Sequence, residues 1–331
     1  MSAMSPWRLS VAPMLDWSDK HGRYLHRLIT KKTRLYTEMV TTGGLLHGGE
    51  RRHLRYDEVE HPLALQLGGS EPADLARCAQ IGARWGYDEI NLNCGCPSER
   101  VQRGAFGACL MAEPQLVADG VKAMVDAVDV PVTVKHRIGI DKEESYAFVR
   151  DFVGTVADAG CRVFIVHARN AWLKGLSPKE NREIPPLRYE RVYQLKRDFP
   201  HLTIVLNGGV TTDEQIAEHL RHVDGVMLGR EAYHHPWMMT AWDARFLGGA
   251  PNPITPDEVE AAMVAYMQRE LVEDGTPWSA IARHMLGLHH GRRGARLWRQ
   301  VWSDHKLKPL PAAEVAALAR AHLASAAMAV A

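Results

Sequence analysis

The chain has 331 residues, of which 46% are hydrophobic and 24% charged, and its formal net charge is +1. This composition is ordinary for a soluble globular protein and excludes a disordered or fibrous class. The length exceeds that of a typical domain, so we expect one large α/β unit with an appendage. The residues before Ser10 carry no signal-peptide pattern, and no stretch approaches the roughly 18 apolar residues of a membrane span, so we expect a cytoplasmic protein.

The cysteines form an odd and scattered set, which argues for reduced thiols rather than a disulfide framework. Cys94 and Cys96 are close in sequence, but no second Cys or His pair stands at a matching distance, so we expect no metal site. Cys94 is predicted to pack as a small strand residue, and three other cysteines are predicted to be buried side chains that only fill space in the core. These are Cys78, Cys109 and Cys161.

Eight short runs rich in β-branched residues alternate with segments of helical periodicity, as expected of repeated parallel βα units. Eight such βα units in about 240 residues match a closed (β/α)8 TIM barrel. Polar residues or glycines cluster at the carboxyl end of nearly every run, which favours the barrel over an open doubly wound sheet. The predicted strands are 9–14, 35–40, 63–67, 89–93, 132–135, 163–167, 203–207 and 225–229, and the predicted helices include 72–85, 114–128, 143–159 and 213–222.

The strand signals stop after residues 248–253, and Thr255 followed by Pro256 predicts the start of a helix. Apolar residues then recur at helical spacing, so the remainder is predicted to be a small all-α helical bundle. We therefore expect a barrel domain over 1–247 and a helical domain over 248–331.

The fourth strand runs into Asn93-Cys94-Gly95-Cys96-Pro97, which places Cys96 at the mouth of the barrel. A lone Cys is more often a small buried hydrophobe, but this position is typical of a catalytic residue. The thiol can act there as a nucleophile or as an acid.

Lys135 and His167 close the fifth and sixth strands, so both should point toward the same mouth as Cys96. The lysine can be a Schiff-base amine, a phosphate ligand, a partner for an electron-rich cofactor ring, or a solvated side chain at a strand end. His167 is similarly ambiguous.

Glycines follow the seventh and eighth strands, where barrels commonly bind phosphate. Backbone amides exposed by Gly208, Gly209 and Gly229 suit an anion, and Arg230 adds a positive charge. Together with the loop 12–16 and with Gln66, Lys135 and Asn207, they can hold a flat ring by hydrogen bonds and its phosphate by glycine loops. That combination predicts FMN.

These residues resemble the tRNA-dihydrouridine synthases, and specifically the bacterial DusA subfamily, over nearly the whole chain to about residue 300. The resemblance rests on 11–16, 35–39, 64–69, 88–93, 95–98, 132–135, 167–169, 181–187 and 207–209.

The resemblance implies an FMN-dependent enzyme that reduces uridine to 5,6-dihydrouridine in the D-loop of tRNA, at positions 20 and 20a. NADPH, or NADH in its place, would reduce the flavin; the flavin would give hydride to the uracil ring, and Cys96 would donate the proton. The implied FMN contacts are Pro13, Met14, Leu15, Gln66, Lys135, His167, Asn207, Gly208, Gly209, Gly229 and Arg230.

The resemblance also implies that Asn93 holds the uracil and that Lys179, Arg182, Arg296 and Arg299 bind tRNA. Local charge supports this independently: residues 177–197 contain six Lys or Arg against three acids, and residues 276–308 contain seven against one. The alternative to RNA binding for each stretch is an exposed helix face whose charges are only solvated. We expect a monomer.

Two residues depart from the family pattern, namely Cys94 and His136. Strand alternation should turn His136 away from the face that carries Lys135, so no change of chemistry is expected.

Two other functions compete with the main prediction. One is an FMN barrel acting on a small molecule, such as a dihydroorotate-type dehydrogenase, which the basic helical appendage disfavours; the other is a tRNA-binding chaperone, which Cys96 and Lys135 disfavour.

Overall fold

Eight parallel strands form one sheet in the computed structural model, which describes residues 5–98, 102 and 104–328, with side chains up to 325. The strands are β1 (Leu9–Val11), β2 (Leu35–Thr41), β3 (Leu63–Gly68), β4 (Glu89–Cys94), β5 (Val132–Arg137), β6 (Val163–His167), β7 (Thr203–Asn207) and β8 (Gly225–Leu228). The order β1-β8-β7-β6-β5-β4-β3-β2 joins all strands through parallel neighbours. A parallel bridge between Ser10 of β1 and Arg34, the residue before β2, closes the two edges of the sheet, so the predicted (β/α)8 barrel is confirmed.

Side chains alternate between the inside and the outside of the barrel along each strand. On one side the interior is apolar, with Tyr36, Ile165 and Met227 in one buried cluster. On the side of β3 to β5 it is polar, because residues 89, 91 and 93 of β4 form hydrogen bonds across the interior. Such burial of polar groups is tolerated because the groups pair with one another.

Helices separate the strands, and in some helices a side-chain cap, and not periodicity alone, sets the first residue. The helix predicted over 143–159 begins at Tyr146, because the Ser145 hydroxyl accepts a hydrogen bond from the Phe148 amide at 3.2 Å. The helices are α1 (Lys20–Ile29), α2 (Thr42–Gly48), α3 (Glu50–Leu54), α4 (Pro72–Arg84), α5 (Pro114–Ala127), α6 (Tyr146–Asp158), α7 (Tyr189–Asp198), α8 (Asp213–His219), α9 (Arg230–His234), α10 (Trp242–Phe246), α11 (Pro256–Asp274), α12 (Trp278–Ala282), α13 (Ala295–Ser303) and α14 (Ala312–Met328). Short 3₁₀ segments lie at Glu58–Glu60, Gly107–Ala112, Glu180–Arg182, Pro236–Ala241, Met285–Gly287 and His305–Leu307.

The chain divides into two compact units, one of residues 1–20 and 32–229 and one of residues 21–31 and 230–331. The second unit therefore includes most of α1 and the segment 230–247, which the sequence assigns to the barrel domain. The catalytic and RNA-binding domains over 1–247 and 248–331 are functional divisions and stay predictions; their outer ends, 1–4 and 329–331, lie outside the described residues.

The second unit is helical, as predicted, and α1 is joined to α11 through aromatic contacts. Tyr24 stacks on Tyr266 with ring centroids 4.0 Å apart, and the His21 ring is hydrogen-bonded to the Tyr266 hydroxyl at 2.8 Å. The predicted start of α11 is confirmed: Thr255 and Glu258 form a reciprocal capping box with Pro256 in the first turn. Among the described residues, no helix is long and apolar enough to cross a membrane.

Candidate active site

The turn that follows β4 is organised by Asn93. Its side-chain oxygen accepts hydrogen bonds from the backbone N–H groups of Gly95 and Cys96, each at 3.0 Å. Its amide nitrogen donates to the Gln66 side-chain oxygen at 2.9 Å. A primary amide has two N–H groups, and within the described part of the chain only one of those on Asn93 has an acceptor. Asn93 thus holds the turn that carries Cys96.

Cys96 lies at the predicted place, half-buried just beyond the end of β4. Its sulfur is 3.5 Å from the Ser98 hydroxyl oxygen, and its carbonyl accepts a hydrogen bond from the Ala108 amide at 2.9 Å. Cys96 also lies close enough to Lys135 for a thiolate to raise the pKa of that amine. The structure therefore brings together two of the residues that the sequence predicts at the mouth.

Lys135 projects from β5 into the barrel mouth and donates a hydrogen bond to the Asn207 side-chain oxygen at 3.1 Å. The Asn207 amide in turn donates to the Met227 carbonyl at 2.8 Å, which fixes its orientation. Burial, and then the charge of Arg137, lower the pKa of the Lys135 amine to about 7. The amine therefore exchanges its proton near neutral pH.

His167 ends β6 beside the glycines that follow β7. Burial, followed by the positive charges of Arg137, Lys135 and other arginines, holds the pKa of His167 well below its usual value, so the imidazole is neutral at pH 7. Gly208 has a φ of 116°, and a β-carbon added to it would lie 2.7 Å from the His167 ring. Only glycine fits both that backbone and that distance.

The loop after β1 turns sharply, so the first strand ends at Val11 rather than at Met14 as predicted. The Ser18 hydroxyl causes this: it accepts from the Met14 amide at 2.8 Å and donates to the Met14 carbonyl at 3.0 Å. Pro13 and Met14 are half-buried, whereas Leu15 is 76% exposed. The three residues thus line the mouth as an irregular loop, and Ser18, which sequence reasoning missed, stabilises it.

Arg137 is a second residue that sequence reasoning missed. It is buried, and its guanidinium donates to the carbonyls of Gly95 at 3.1 Å, Asn181 at 3.0 Å and Asn170 at 3.4 Å. Burial lowers the pKa of Arg137 to about 9. The side chain joins the Cys96 turn to the loop that carries Lys179, and no local sequence pattern indicates these long-range carbonyl partners.

The predicted tRNA-binding cations are exposed, whereas Arg230 is half-buried. Lys179 directly precedes the 3₁₀ segment after β6, and Arg182 is the last residue of that segment. Arg296 and Arg299 lie three residues apart on α13, exposed, while Trp298 between them is fully buried. Arg230 is the first residue of α9, directly after Gly229. Binding roles for all of these stay predictions.

His136 lies where strand alternation predicts, and the other cysteines are buried as predicted, namely Cys78, Cys94 and Cys161, with one exception. Cys94 is fully buried, and burial raises its pKa well above the usual value of a thiol. His136 packs outside the barrel against Phe152 and Phe164, with ring centroids 5.1 Å and 5.8 Å away. The exception is Cys109, which is half-buried instead of buried. Its position on the short 3₁₀ segment after the Cys96 turn, rather than on a full helix, explains the difference.

An amine, a neutral imidazole and a thiol at the carboxyl ends of the strands of a closed parallel barrel define an enzyme of the (β/α)8 class. Comparison with family models matches residues 10–323 to the model described as Dihydrouridine synthase (Dus). This chain therefore belongs to the dihydrouridine synthase family, which comprises flavin-dependent oxidoreductases, and the resemblance noted in the sequence is confirmed.

Curated relatives agree with the family model. A tRNA-dihydrouridine(20/20a) synthase of Salmonella typhimurium (strain LT2) is 58% identical over 321 residues, which cover 97% of this chain and 96% of that one. The protein of the same name in Escherichia coli (strain K12) is 59% identical over 302 residues, which cover 91% and 87%. A solved 2-naphthoyl-CoA reductase complex aligns with a TM-score of 0.54 at 9% identity, over 71% of this chain and 49% of that one, and shows the fold alone.

Proposed function

We propose that this protein catalyses the FMN-dependent, NADPH-consuming reduction of uridine to 5,6-dihydrouridine in the D-loop of tRNA, at positions 20 and 20a. The single observation that carries the proposal is the 58% identity to a tRNA-dihydrouridine(20/20a) synthase over 97% of the chain. The position of Cys96 beside Lys135 at the barrel mouth supports it. The proposal includes action as a cytoplasmic monomer, with NADH as the alternative reductant.

The residues at the mouth fit a flavin mononucleotide. The amide of Gln66 and the amine of Lys135 are hydrogen-bonding groups of the kind that a flavin ring requires. The Gly208 backbone lies so close to His167 that an added β-carbon would be 2.7 Å from the ring, and Gly208 is followed by Gly209 with a φ of 71°. Glycine backbones of this kind can approach a phosphate closely. The proposed FMN contacts are Pro13, Met14, Leu15, Gln66, Lys135, His167, Asn207, Gly208, Gly209, Gly229 and Arg230.

When bound, the flavin supplies the hydride that saturates the uracil double bond. The chain supplies the proton for the other carbon, and the Cys96 thiol is the group proposed to hold it. Asn93, which orients the Cys96 turn, is the residue proposed to donate an amide N–H to the uracil. Lys135, held by its hydrogen bond to Asn207, is proposed to contact the flavin.

The substrate uridine belongs to a folded RNA and must leave its stack to reach the barrel mouth. Phosphate contacts supply most of the affinity for such a substrate, and the pocket reads the base. The exposed cations Lys179, Arg182, Arg296 and Arg299 are the proposed phosphate contacts. In this proposal, residues 1–247 form the catalytic domain and 248–331 the tRNA-binding domain.

The test uses the purified full chain, FMN and an unmodified tRNA transcript. We expect a yellow protein that binds FMN and, with NADPH, forms dihydrouridine at positions 20 and 20a of the transcript. A colourless protein that takes up no FMN would contradict the proposal, and so would a flavoprotein that leaves every uridine intact.

The Cys96→Ala variant separates a reductase from an RNA chaperone. A reductase variant still binds tRNA and FMN but loses dihydrouridine formation, whereas a chaperone keeps its full activity. Orotate-type substrates, added in place of tRNA, test the small-molecule alternative, and their turnover without tRNA would favour it.

A further inference from the structure

A continuous line of side-chain hydrogen bonds runs through the barrel from its amino-terminal end to the Cys96 turn. It begins at the fully buried carboxylate of Glu89, at the start of β4. The Thr133 hydroxyl donates to Glu89, the Asn91 amide nitrogen donates to the Thr133 oxygen at 2.7 Å, and Gln66 donates to the Asn91 oxygen at 2.7 Å. Asn93 donates to the Gln66 oxygen at 2.9 Å. We name the side chains of Thr133, Asn91, Gln66 and Asn93 the polar relay.

Glu89, to which the lower end of the polar relay donates, also faces three other donor groups. The indole N–H of Trp7 donates to Glu89 at 2.7 Å, the Tyr36 hydroxyl donates at 2.8 Å, and the Arg34 guanidinium lies 3.2 Å from the same carboxylate. Indole and guanidinium groups have no acceptor. The Glu89 oxygen that faces Trp7 and Arg34 can therefore only accept, and the other oxygen accepts from the Tyr36 and Thr133 hydroxyls.

This fixed end decides the direction of every bond above it. The Thr133 hydroxyl has one hydrogen and gives it to Glu89, so its oxygen can only accept from Asn91. Asn91 must then present its oxygen to Gln66, and Gln66 must present its oxygen to Asn93. Each primary amide has a donor end and an acceptor end, so the orientation is transmitted from one to the next.

The upper end of the polar relay meets two backbone donors. The Asn93 oxygen accepts from the N–H groups of Gly95 and Cys96 at 3.0 Å. If the Asn93 amide were reversed, its NH₂ group would face these two N–H groups, and none of the three donors would have a partner. The turn would then have to open, since unpaired buried donors are costly.

We infer that Thr133 and Asn91 are positioning residues for Cys96. Neither touches the turn itself; they act by imposing one orientation on the Gln66 and Asn93 amides, and that orientation closes the turn around the Cys96 backbone. The effect on catalysis rests on the proposed function, whereas the effect on the turn does not.

The test compares Thr133→Val, which removes the hydroxyl at nearly constant shape, with Thr133→Ser, which keeps it. Amide hydrogen exchange is measured on the flavin-loaded protein for the Gly95 and Cys96 N–H groups. We expect exchange about tenfold faster in Thr133→Val and close to the wild-type rate in Thr133→Ser. In the same proteins, kcat for dihydrouridine formation should fall roughly tenfold or more in Thr133→Val, with KM for tRNA within about twofold.

The matched control is Tyr36→Phe. It removes another buried hydrogen bond to Glu89, but one that lies outside the polar relay. We expect it to lower the thermal unfolding midpoint without changing exchange at Gly95 and Cys96. Unchanged exchange in Thr133→Val, or equally fast exchange in Tyr36→Phe, would overturn the inference.

A second pair covers the case in which Thr133→Val does not fold. Thr133→Ala and Thr133→Ser are both smaller than threonine and differ from each other in the hydroxyl alone. Faster exchange at Gly95 and Cys96 in Thr133→Ala than in Thr133→Ser supports the inference, and equal rates contradict it. Because exchange is read without tRNA, this result stands apart from whether the wild type forms dihydrouridine.

Discussion

At the scale of single residues, Cys96 combines partial exposure with a rigid backbone. Its amide is held by Asn93 and its carbonyl by Ala108, so the thiol is presented from a fixed turn. A fixed acid is what proton donation to a carbon requires, because the proton must arrive along one direction. The residue is therefore suited to an acid role, and the nucleophile considered from the sequence is not needed for the proposed reaction.

Replacing Cys96 tests this role. We expect Cys96→Ala to reduce single-turnover dihydrouridine formation by roughly 10² to 10⁴, the usual range for loss of a general acid. Cys96→Ser should retain more activity than Cys96→Ala, because a hydroxyl is still a weak acid. Flavin absorbance and tRNA binding should be unchanged in both.

The control for Cys96 is Cys109→Ala, which removes the other half-buried thiol. This variant should turn over at the wild-type rate. If both Cys96 variants also keep the wild-type rate, Cys96 has no part in proton transfer.

The lowered pKa of Lys135 predicts a pH dependence of stability in the cofactor-free protein. Between pH 7 and about 10, the amine is largely neutral when folded, with its pKa of about 7, but protonated when unfolded. The unfolded state thus binds more protons, so the free energy of unfolding should rise with pH in this window; below pH 7 the full penalty applies.

Denaturant unfolding of wild type and Lys135→Met at several pH values measures this effect. We expect Lys135→Met to be the more stable protein at pH 7 and the difference to shrink as pH approaches 10. A difference that is constant across the window would contradict the lowered pKa.

At the scale of elements, the loop after β7 depends on glycine for two separate reasons. Gly208 has both a positive φ of 116° and no room for a side chain beside His167. Gly175 also has a positive φ, of 83°, but a β-carbon added to it would have nothing within 4 Å. The two positions therefore separate backbone strain from steric conflict.

Gly208→Ala should weaken FMN binding by at least about tenfold, because the added methyl group displaces the His167 ring or the loop. Gly175→Ala, which shares the backbone strain, should leave FMN affinity within about twofold. Titration of flavin fluorescence measures both. Equal affinities for the two variants would remove Gly208 from the proposed cofactor site.

The elements themselves were largely predictable from the sequence. All eight strands were recognised, because buried parallel strands appear as short apolar runs, and the start of α11 was recognised from Thr255 and Pro256. The larger errors lie at element ends, at Val11, at Tyr146 and at His219, where the helix predicted to reach residue 222 stops. The first two ends are each decided by a single serine hydroxyl, and periodicity does not register one hydrogen bond.

At the scale of the whole molecule, charge is segregated even though the net charge is only +1. Residues 276–308 carry seven Lys or Arg against one acid, and α13 displays Arg296 and Arg299 on its exposed side. Such a stretch attracts a polyanion without making the whole protein basic.

Charge reversal at Arg296 and Arg299 tests the role of this stretch. The double variant Arg296→Glu/Arg299→Glu should weaken tRNA binding and reduce the slope of log affinity against log salt by about 2, while flavin absorbance stays unchanged. The control Arg77→Glu/Lys122→Glu makes the same charge change on exposed residues of α4 and α5. Equal losses in the two variants would point to net charge alone.

The sequence by itself determined the barrel, the helical region and the residues at strand ends, because strand period and chain order dictate which side chains reach the mouth of a parallel barrel. It did not indicate Arg137, Ser18 or the polar relay. Their partners are distant carbonyls and amides, and such pairs exist only once the strands are in register. The assignment of most of α1 to the helical unit was likewise decided by tertiary contacts, since Tyr24 meets Tyr266 across more than two hundred residues of chain. Local patterns specify which elements form, whereas packing decides which polar groups face one another.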